Sequence, residues 1–163
     1  MDSIDYAKKW LNFANADYSV ALFIQNHHPV PIEIICYHCQ QAGEKALKAV
    51  LAYHNKEIPK TNDLYKLLEL CEQHYTTIKS GLSEQAVSLS NLATITRYPD
   101  NAIELTDTDM ATALKYAKQV LSYLKTCKAF RHPLSVAGLG LDDNGSRIQP
   151  TQNNVNRKEA RIP

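Results

Sequence analysis

The sequence has no apolar run near the roughly 20 residues that a membrane-spanning helix needs, and its 163 residues carry a net charge of only +1. The first absence argues against a transmembrane protein. The second argues against a polybasic nucleic-acid arm, so any site for RNA or a nucleotide has to be a local patch. The start, Met1-Asp2-Ser3, also lacks the basic region of a secretory signal. We therefore expect a soluble, cytoplasmic protein.

Signals for metal or disulfide chemistry are weak. Cys36 and Cys39 have the CxxC spacing of a redox or zinc half-site, but no second CxxC follows among the four cysteines. Both fall on the apolar side of a predicted helix, where free cysteine is commonly buried. The six histidines show neither HExxH nor HxxxH spacing. We therefore expect core cysteines in a reducing compartment, with no metal and no cofactor.

Helical periodicity dominates the chain, and no stretch alternates between apolar and polar residues as a strand would. The expected helix starts are Ser3, Asn62 or Asp63, and a capping box of Thr106 and Asp109. We predict an all-α protein. Apolar side chains recur at spacings of three and four over five segments, at about residues 4–26, 32–55, 64–75, 83–96 and 106–128.

The composition changes beyond Phe130, where glycine, proline, glutamine and asparagine replace the periodic apolar residues. Such a segment cannot bury enough surface to offset its chain entropy. We therefore predict one helical domain over residues 1–130 and a disordered tail over residues 131–163. Within the domain, four aromatic residues have the spacing of a buried face and are expected in the core: Trp10, Phe13, Tyr18 and Phe23.

An organised polar stripe lies on the second predicted helix. Helical spacing makes Gln41, Lys45 and Lys48 neighbours, and Glu44 forms a favourable i,i+4 pair with Lys48. In the functional interpretation the stripe binds an anionic ligand, and in the structural one Glu44 pairs with Arg97 inside the bundle. Candidate nucleotide-binding residues are Gln41, Glu44, Lys45, Lys48, Arg97 and Tyr98.

Three segments resemble the HEPN domains, a family named for nucleotide binding in higher eukaryotes and prokaryotes. They are CYHCQQAGEKALKAVL at residues 36–51, PKTNDL at 59–64 and TRYPD at 96–100. Asn62 departs from the family's usual histidine. The resemblance implies an up-and-down bundle of four main helices plus a short one, often dimeric. It also implies a toxin-antitoxin-like pairing with a minimal nucleotidyltransferase.

Some members of that family are metal-independent endoribonucleases, whose motif places a histidine four to six positions after an arginine. Here Arg97 is followed by residues 98–103, none of which is histidine. Cleavage by 2'-hydroxyl attack needs a base and a cation, so His38, or a histidine of a second subunit, would have to replace the missing base beside Arg97. The catalytic candidates are thus Arg97 and His38.

Three hypotheses remain open. The first is a regulatory module that binds a nucleotide or RNA and works with a nucleotidyltransferase. The second is an endoribonuclease with an atypical base, and the third is a purely structural, partner-binding bundle. A surplus of tyrosine is compatible with a homodimer, and we expect neither DNA nor a membrane as a partner.

Overall fold

The computed structural model describes residues 2–96 and 104–126, which form helices joined by turns and loops, with no strand. This confirms the predicted all-α bundle of four main helices plus a short one. None of the described helices is long and apolar enough to cross a membrane. The helices are α1 (Ser3–Ile24), α2 (Ile32–Tyr53), α3 (Leu64–Glu72), α4 (Ile78–Thr96) and α5 (Asp107–Thr126).

The helix α2 is the centre of the bundle, since it contacts each of the other four helices, and its most extensive contact is with α1. Small side chains on α1, including Ala7, Ala14 and Ala21, are fully buried, which lets the two helices approach closely. Between Ala42 and Ala52, buried residues occupy almost every side of α2. Polar residues on this helix therefore meet protein rather than water on most sides.

Two aromatic residues of α1 correct the sequence prediction. Phe13 is 61% exposed and Phe23 is 79% exposed, so neither belongs to the core. Trp10 and Tyr18 do pack against the core, although they are only partly buried. The periodic pattern failed here because α1 carries two apolar stripes, and the one rich in alanine is the one that faces α2.

The helix starts agree with the expectations at two points and differ at two. The capping box of α5 forms as predicted, because Asp109 Oδ2 accepts a hydrogen bond from Thr106 N at 2.8 Å. Asp63 caps α3 by accepting from two backbone N–H groups. Asp2, and not Ser3, caps α1.

The start of α4 is the second difference. It begins at Ile78 and not near residue 83, so the helix runs through Gly81, which lies before the predicted range of 83–96. The ring of Tyr123 on α5 packs against this glycine so closely that a Cβ atom there would lie 2.9 Å from Tyr123 Cε2. The glycine thus permits a close helix contact and does not mark a turn.

Candidate functional site

The polar stripe of α2 is divided by burial into two neighbouring groups. Gln40, Glu44 and Lys48 are 1%, 7% and 7% exposed, so this part of the stripe is internal. Gln41 and Lys45 are only partly buried. The residues of the predicted stripe therefore differ in their access to solvent.

The three internal residues and the partly buried Gln41 form one hydrogen-bonded group, which we call the Glu44 cluster: Gln40, Gln41, Glu44 and Lys48. The Glu44 carboxylate accepts hydrogen bonds from Lys48 Nζ at 2.7 Å, Gln41 Nε2 at 3.2 Å and Gln40 Nε2 at 3.4 Å. Gln40 Nε2 also donates to the backbone oxygen of Asn62 at 2.9 Å. The cluster therefore ties α2 to the loop before α3, and its hydrogen-bonding capacity is largely used within the protein.

Lys48 has a further contact on α1. Its Nζ lies 5.4 Å from the ring centroid of Trp10, which is within the range of a cation–π interaction. With Glu44 on one side and the indole on the other, the ammonium of Lys48 is held inside the α1–α2 contact. Of the two candidate lysines, Lys48 is the less accessible to a ligand.

Lys45, the other partly buried residue of the stripe, belongs to a group that joins α1 to α2 and is called here the Asp17 cluster: Asp17, His38 and Lys45. The Asp17 carboxylate accepts a hydrogen bond from Lys45 Nζ through Oδ2, and its Oδ1 lies 3.0 Å from His38 Nδ1. The side chain of Asp17 is 13% exposed, that of His38 25% and that of Lys45 24%. The cluster is thus ordered by its own contacts and still reaches solvent.

Asp17 was missed by the sequence reasoning, although a signal for it exists. On a helical projection it lies beside the buried stripe of α1 between Ala14 and Ala21, where a carboxylate requires a partner. His38 and Lys45 are seven residues apart and therefore share one face of α2. A carboxylate at the edge of one apolar stripe and two basic groups on one face of the next helix indicate such a contact.

The Asp17 contact gives His38 a defined orientation. In the tautomer that donates from Nδ1 to Asp17, the lone pair of the imidazole is on Nε2, which can then accept a proton. The ring of Tyr37 lies edge-on to the His38 ring, with 5.6 Å between centroids. A histidine held by a carboxylate in this way has the arrangement of a general base, and it equally has that of a structural hydrogen bond.

Two of the candidate residues, Arg97 and Tyr98, lie outside the described residues, as does Cys127. The expected pairing of Glu44 with Arg97 and the role of Tyr98 therefore stay predictions. The same holds for the proposed tail over residues 131–163. Within the part of the chain that is described, His38 and Lys45 meet at Asp17 of α1, whereas Gln41, Glu44 and Lys48 belong to the separate Glu44 cluster.

The cysteines of α2 are core residues, as expected from the sequence. Cys36 and Cys39 are fully buried free thiols. Burial, with the nearby carboxylates of Asp109 and Glu33, raises the pKa of Cys36 to about 12, and burial likewise raises the pKa of Cys39. Both are therefore protonated near neutral pH and are poor nucleophiles or metal ligands.

Across residues 2–96 and 104–126, no group of three or more histidine, cysteine or carboxylate residues is arranged to hold a metal ion.

Comparisons with known proteins give one match. Residues 7–127, which are well over half of the chain, match the model of the HEPN domain. Nothing matched in the comparisons with curated proteins and with solved structures. The matched range contains all five helices except the first turn of α1, and it includes both the Glu44 cluster and the Asp17 cluster.

Proposed function

Because the chain belongs to the HEPN family, we propose that it is a nucleotide- or RNA-binding regulatory module that acts with a minimal nucleotidyltransferase in a toxin-antitoxin-like pair. The observation that carries the binding part is the Asp17 cluster, in which one carboxylate holds a lysine and a histidine at an accessible position. The pairing with a nucleotidyltransferase rests on family resemblance. It is the less direct part of the proposal.

Lys45 is the group proposed to contact the ligand. Its ammonium has three N–H donors, of which the described contacts use one on Asp17. The remaining donors are available to a phosphate oxygen, and the contact with Asp17 holds the long side chain in place, so that less side-chain entropy is lost on binding. Gln41, one turn before Lys45 and also partly exposed, donates from Nε2 to Gln40 and to Glu44, so its Oε1 is the atom that would accept a hydrogen bond from a base.

Titration of the full chain with ATP and with a labelled single-stranded RNA tests the binding part. Lys45→Ala is expected to weaken binding about tenfold, which corresponds to the loss of one charge-assisted hydrogen bond. Lys118→Ala, at an exposed position on α5, makes the same change in net charge and is expected to leave the affinity within about twofold. Equal losses in the two variants would contradict a site at Lys45.

The proposed partner is tested by purification of the tagged chain from the cells that encode it. Mass spectrometry of the bound fraction is expected to identify a nucleotidyltransferase that remains bound at physiological salt. An untagged strain provides the control for proteins that bind the resin. Recovery of the chain without any nucleotidyltransferase would contradict the pairing and leave the binding part to stand alone.

A second candidate function is metal-independent cleavage of RNA, which is favoured by one observation, the contact of His38 Nδ1 with Asp17. His38 Nε2 would take the proton of a 2'-hydroxyl as the 2'-oxygen bonds to phosphorus and the bond to the 5'-oxygen breaks. The departing 5'-oxygen takes a proton from water, which leaves a 2',3'-cyclic phosphate and a 5'-hydroxyl. Arg97 and Lys45 would stabilise the charge on the phosphate.

The enzymatic hypothesis is tested by incubation of purified protein with mixed-sequence labelled RNA in the presence of EDTA. If the protein cleaves RNA, His38→Ala and Arg97→Ala are each expected to lower the rate at least ~100-fold, since a general base or a charge-stabilising group contributes on this order. His27→Ala, at an exposed histidine, is expected to keep the wild-type rate. Intact RNA with the wild-type protein would reject the enzymatic hypothesis and leave the binding module.

A further inference from the structure

The charges of the two clusters on α2 balance when His38 is neutral. In the Glu44 cluster, the ammonium of Lys48 donates to the Glu44 carboxylate. In the Asp17 cluster, the ammonium of Lys45 donates to the Asp17 carboxylate. Each lysine is thus paired with one carboxylate, and neither cluster has a net charge that would attract a phosphate. Histidine is the residue type that changes its charge between pH 5 and pH 8, and His38 is the only histidine of the two clusters.

Within the described residues, His38 uses only one of its two ring nitrogens. Nδ1 lies 3.0 Å from Asp17 Oδ1, whereas nothing in residues 2–96 and 104–126 forms a hydrogen bond with Nε2. A neutral ring that donates from Nδ1 has its lone pair on Nε2, which repels a phosphate oxygen. A protonated ring donates from both nitrogens. It therefore keeps its contact with Asp17 and offers the N–H of Nε2 to an anion.

We propose that the Asp17 cluster binds a phosphate group of RNA or of a nucleotide together with one proton, which His38 takes up. This inference rests on the proposed function and adds its regulation: the affinity of the site increases as pH falls. With the ring protonated, two cations share one carboxylate, so the cluster has one net positive charge. Lys45 Nζ and His38 Nε2 then both donate to phosphate oxygens through charge-assisted hydrogen bonds.

Phosphate and proton strengthen the binding of each other. A phosphate beside the ring stabilises its charged form, and the charged ring in turn holds the phosphate more tightly. The complex therefore carries more bound proton than the free protein does. Affinity rises as pH falls through the range in which the free ring takes up its proton. It becomes constant once the ring is charged both in the free protein and in the complex.

The groups that face His38 come from two helices. Asp17 lies on α1, while Lys45 and Tyr37 lie on α2 with the histidine itself. Asp17 stabilises a proton on the ring and Lys45 opposes it, and the two are themselves an ion pair. Tyr37 adds an edge-on ring contact and no charge. A phosphate at Nε2 would therefore be the uncompensated charge nearest to that nitrogen.

The first test measures the affinity of the full chain for oligouridylate at pH 8, 7 and 6 and at constant salt. Neither the phosphodiesters nor the uracil bases of this single-stranded RNA titrate in that range, so a change with pH reports on the protein. Binding by the wild-type protein is expected to be about tenfold tighter at pH 6 than at pH 8, since one charge-assisted hydrogen bond is gained. Circular dichroism at each pH checks that the protein stays helical.

Two histidine variants separate His38 from the general effect of acidification. The chain has six histidines, and their protonation attracts RNA weakly from a distance even without a site. His38→Gln cannot take up the proton and is expected to gain less than about threefold between pH 8 and pH 6. His27→Gln removes an exposed titrating ring elsewhere and is expected to keep the tenfold gain of the wild-type protein.

The second test counts the protons by calorimetry at pH 7 in two buffers that differ in their enthalpy of ionisation. On saturation with oligouridylate, the wild-type protein is expected to take up at least about half a proton more than His38→Gln does. A parallel titration with ATP shows whether a free nucleotide also supplies the phosphate. Because the terminal phosphate of ATP itself titrates near pH 7, only the difference between the two proteins is used in that titration.

The outcomes distinguish this inference from the proposed function. Saturable binding with the same affinity at all three pH values would overturn the uptake of a proton and leave the binding site in place. The same pH dependence in His38→Gln as in the wild-type protein, or an equal proton uptake, would also overturn it. If neither oligouridylate nor ATP bound at any pH, the proposed function would be contradicted, and this inference with it.

Discussion

At the scale of single residues, burial decides what the polar side chains of α2 do. The sequence correctly predicts the i,i+4 pair of Glu44 and Lys48, because that pair depends only on helix geometry. It does not predict that both lie in the interior, where a charge that loses its partner is costly. Lys45 and Asp17 pair across two different helices. Because the two residues are far apart in the sequence, no local pattern predicts their contact.

Removal of Glu44 should therefore destabilise the protein strongly. Glu44→Ala leaves the ammonium of Lys48, whose side chain is 9% exposed, without its carboxylate, and we expect a loss of about 3–5 kcal/mol in the free energy of unfolding. Glu69→Ala breaks an exposed pair with Lys79 and is expected to cost about 1 kcal/mol or less. Urea unfolding of both variants measures the difference. Similar losses would show that the Glu44–Lys48 pair is not a buried one in solution.

A stacked pair of histidines makes stability depend on pH. The rings of His54 and His74 lie 4.4 Å apart between centroids and nearly parallel. Burial, followed by the charges of His74 and Lys56, lowers the pKa of His54 below its ordinary value of 6.5. The unfolded chain therefore takes up a proton at this residue more readily than the folded one, so its contribution to stability is present above about pH 6.5 and declines as pH falls below that value.

We expect His54→Gln to reduce that pH dependence. Urea unfolding at pH 7.5, 6.5 and 5.5 should show a smaller loss of stability on acidification in the variant than in the wild-type protein, because the titrating group has been removed. His27→Gln, at an exposed histidine, should keep the wild-type slope. If His54→Gln and the wild-type protein lost stability in parallel, His54 would not be the group responsible.

At the scale of the elements, helix existence was easier to predict than helix ends. Apolar spacing located all five helices, whereas α4 begins at Ile78, before the predicted residue 83, and passes Gly81, whose close contact with Tyr123 no local pattern contains. The capping residues were predicted more accurately, because a cap depends on residues close together in the sequence. The residue that caps α3 was predicted, since Asp63 was one of two candidates, and the cap of α1 was displaced by one residue to Asp2.

The two caps should differ in their contribution to stability. Asp63 Oδ1 accepts from Tyr65 N at 2.9 Å and from Lys66 N at 3.1 Å, while Asp2 Oδ1 accepts from Ile4 N at 3.4 Å. We expect Asp63→Ala to lower the free energy of unfolding by about 1 kcal/mol and Asp2→Ala to lower it by less. Thermal or urea unfolding of the two variants provides the comparison. A larger effect of Asp2→Ala would contradict the account of the α3 cap.

At the scale of the whole molecule, the fold was predicted almost completely and the site only in part. Five amphipathic segments with short connections leave few ways to bury their apolar faces, so a helical bundle follows from the pattern. The site depends on which faces of α1 and α2 meet. His38 and Lys45 were predicted as candidates from one helix, but Asp17, which joins them, belongs to the other.

The same reason explains the two misplaced phenylalanines. Phe13 and Phe23 recur with helical spacing, and such spacing indicates an apolar face without saying whether the core or another molecule covers it. The alanines of α1 form the face that α2 covers, because small residues allow the closer contact. Periodicity thus identified the helix, and only the packing of whole helices identified its buried side.

The central claim, that a nucleotide or RNA binds at the Asp17 cluster, is tested most directly by NMR chemical-shift mapping. Isotope-labelled protein is titrated with ATP and with a short single-stranded RNA, and amide shifts are followed at each residue. The account predicts shifts that saturate and are centred on Asp17, His38, Gln41 and Lys45. Saturable shifts centred elsewhere, or none with either ligand, would contradict it.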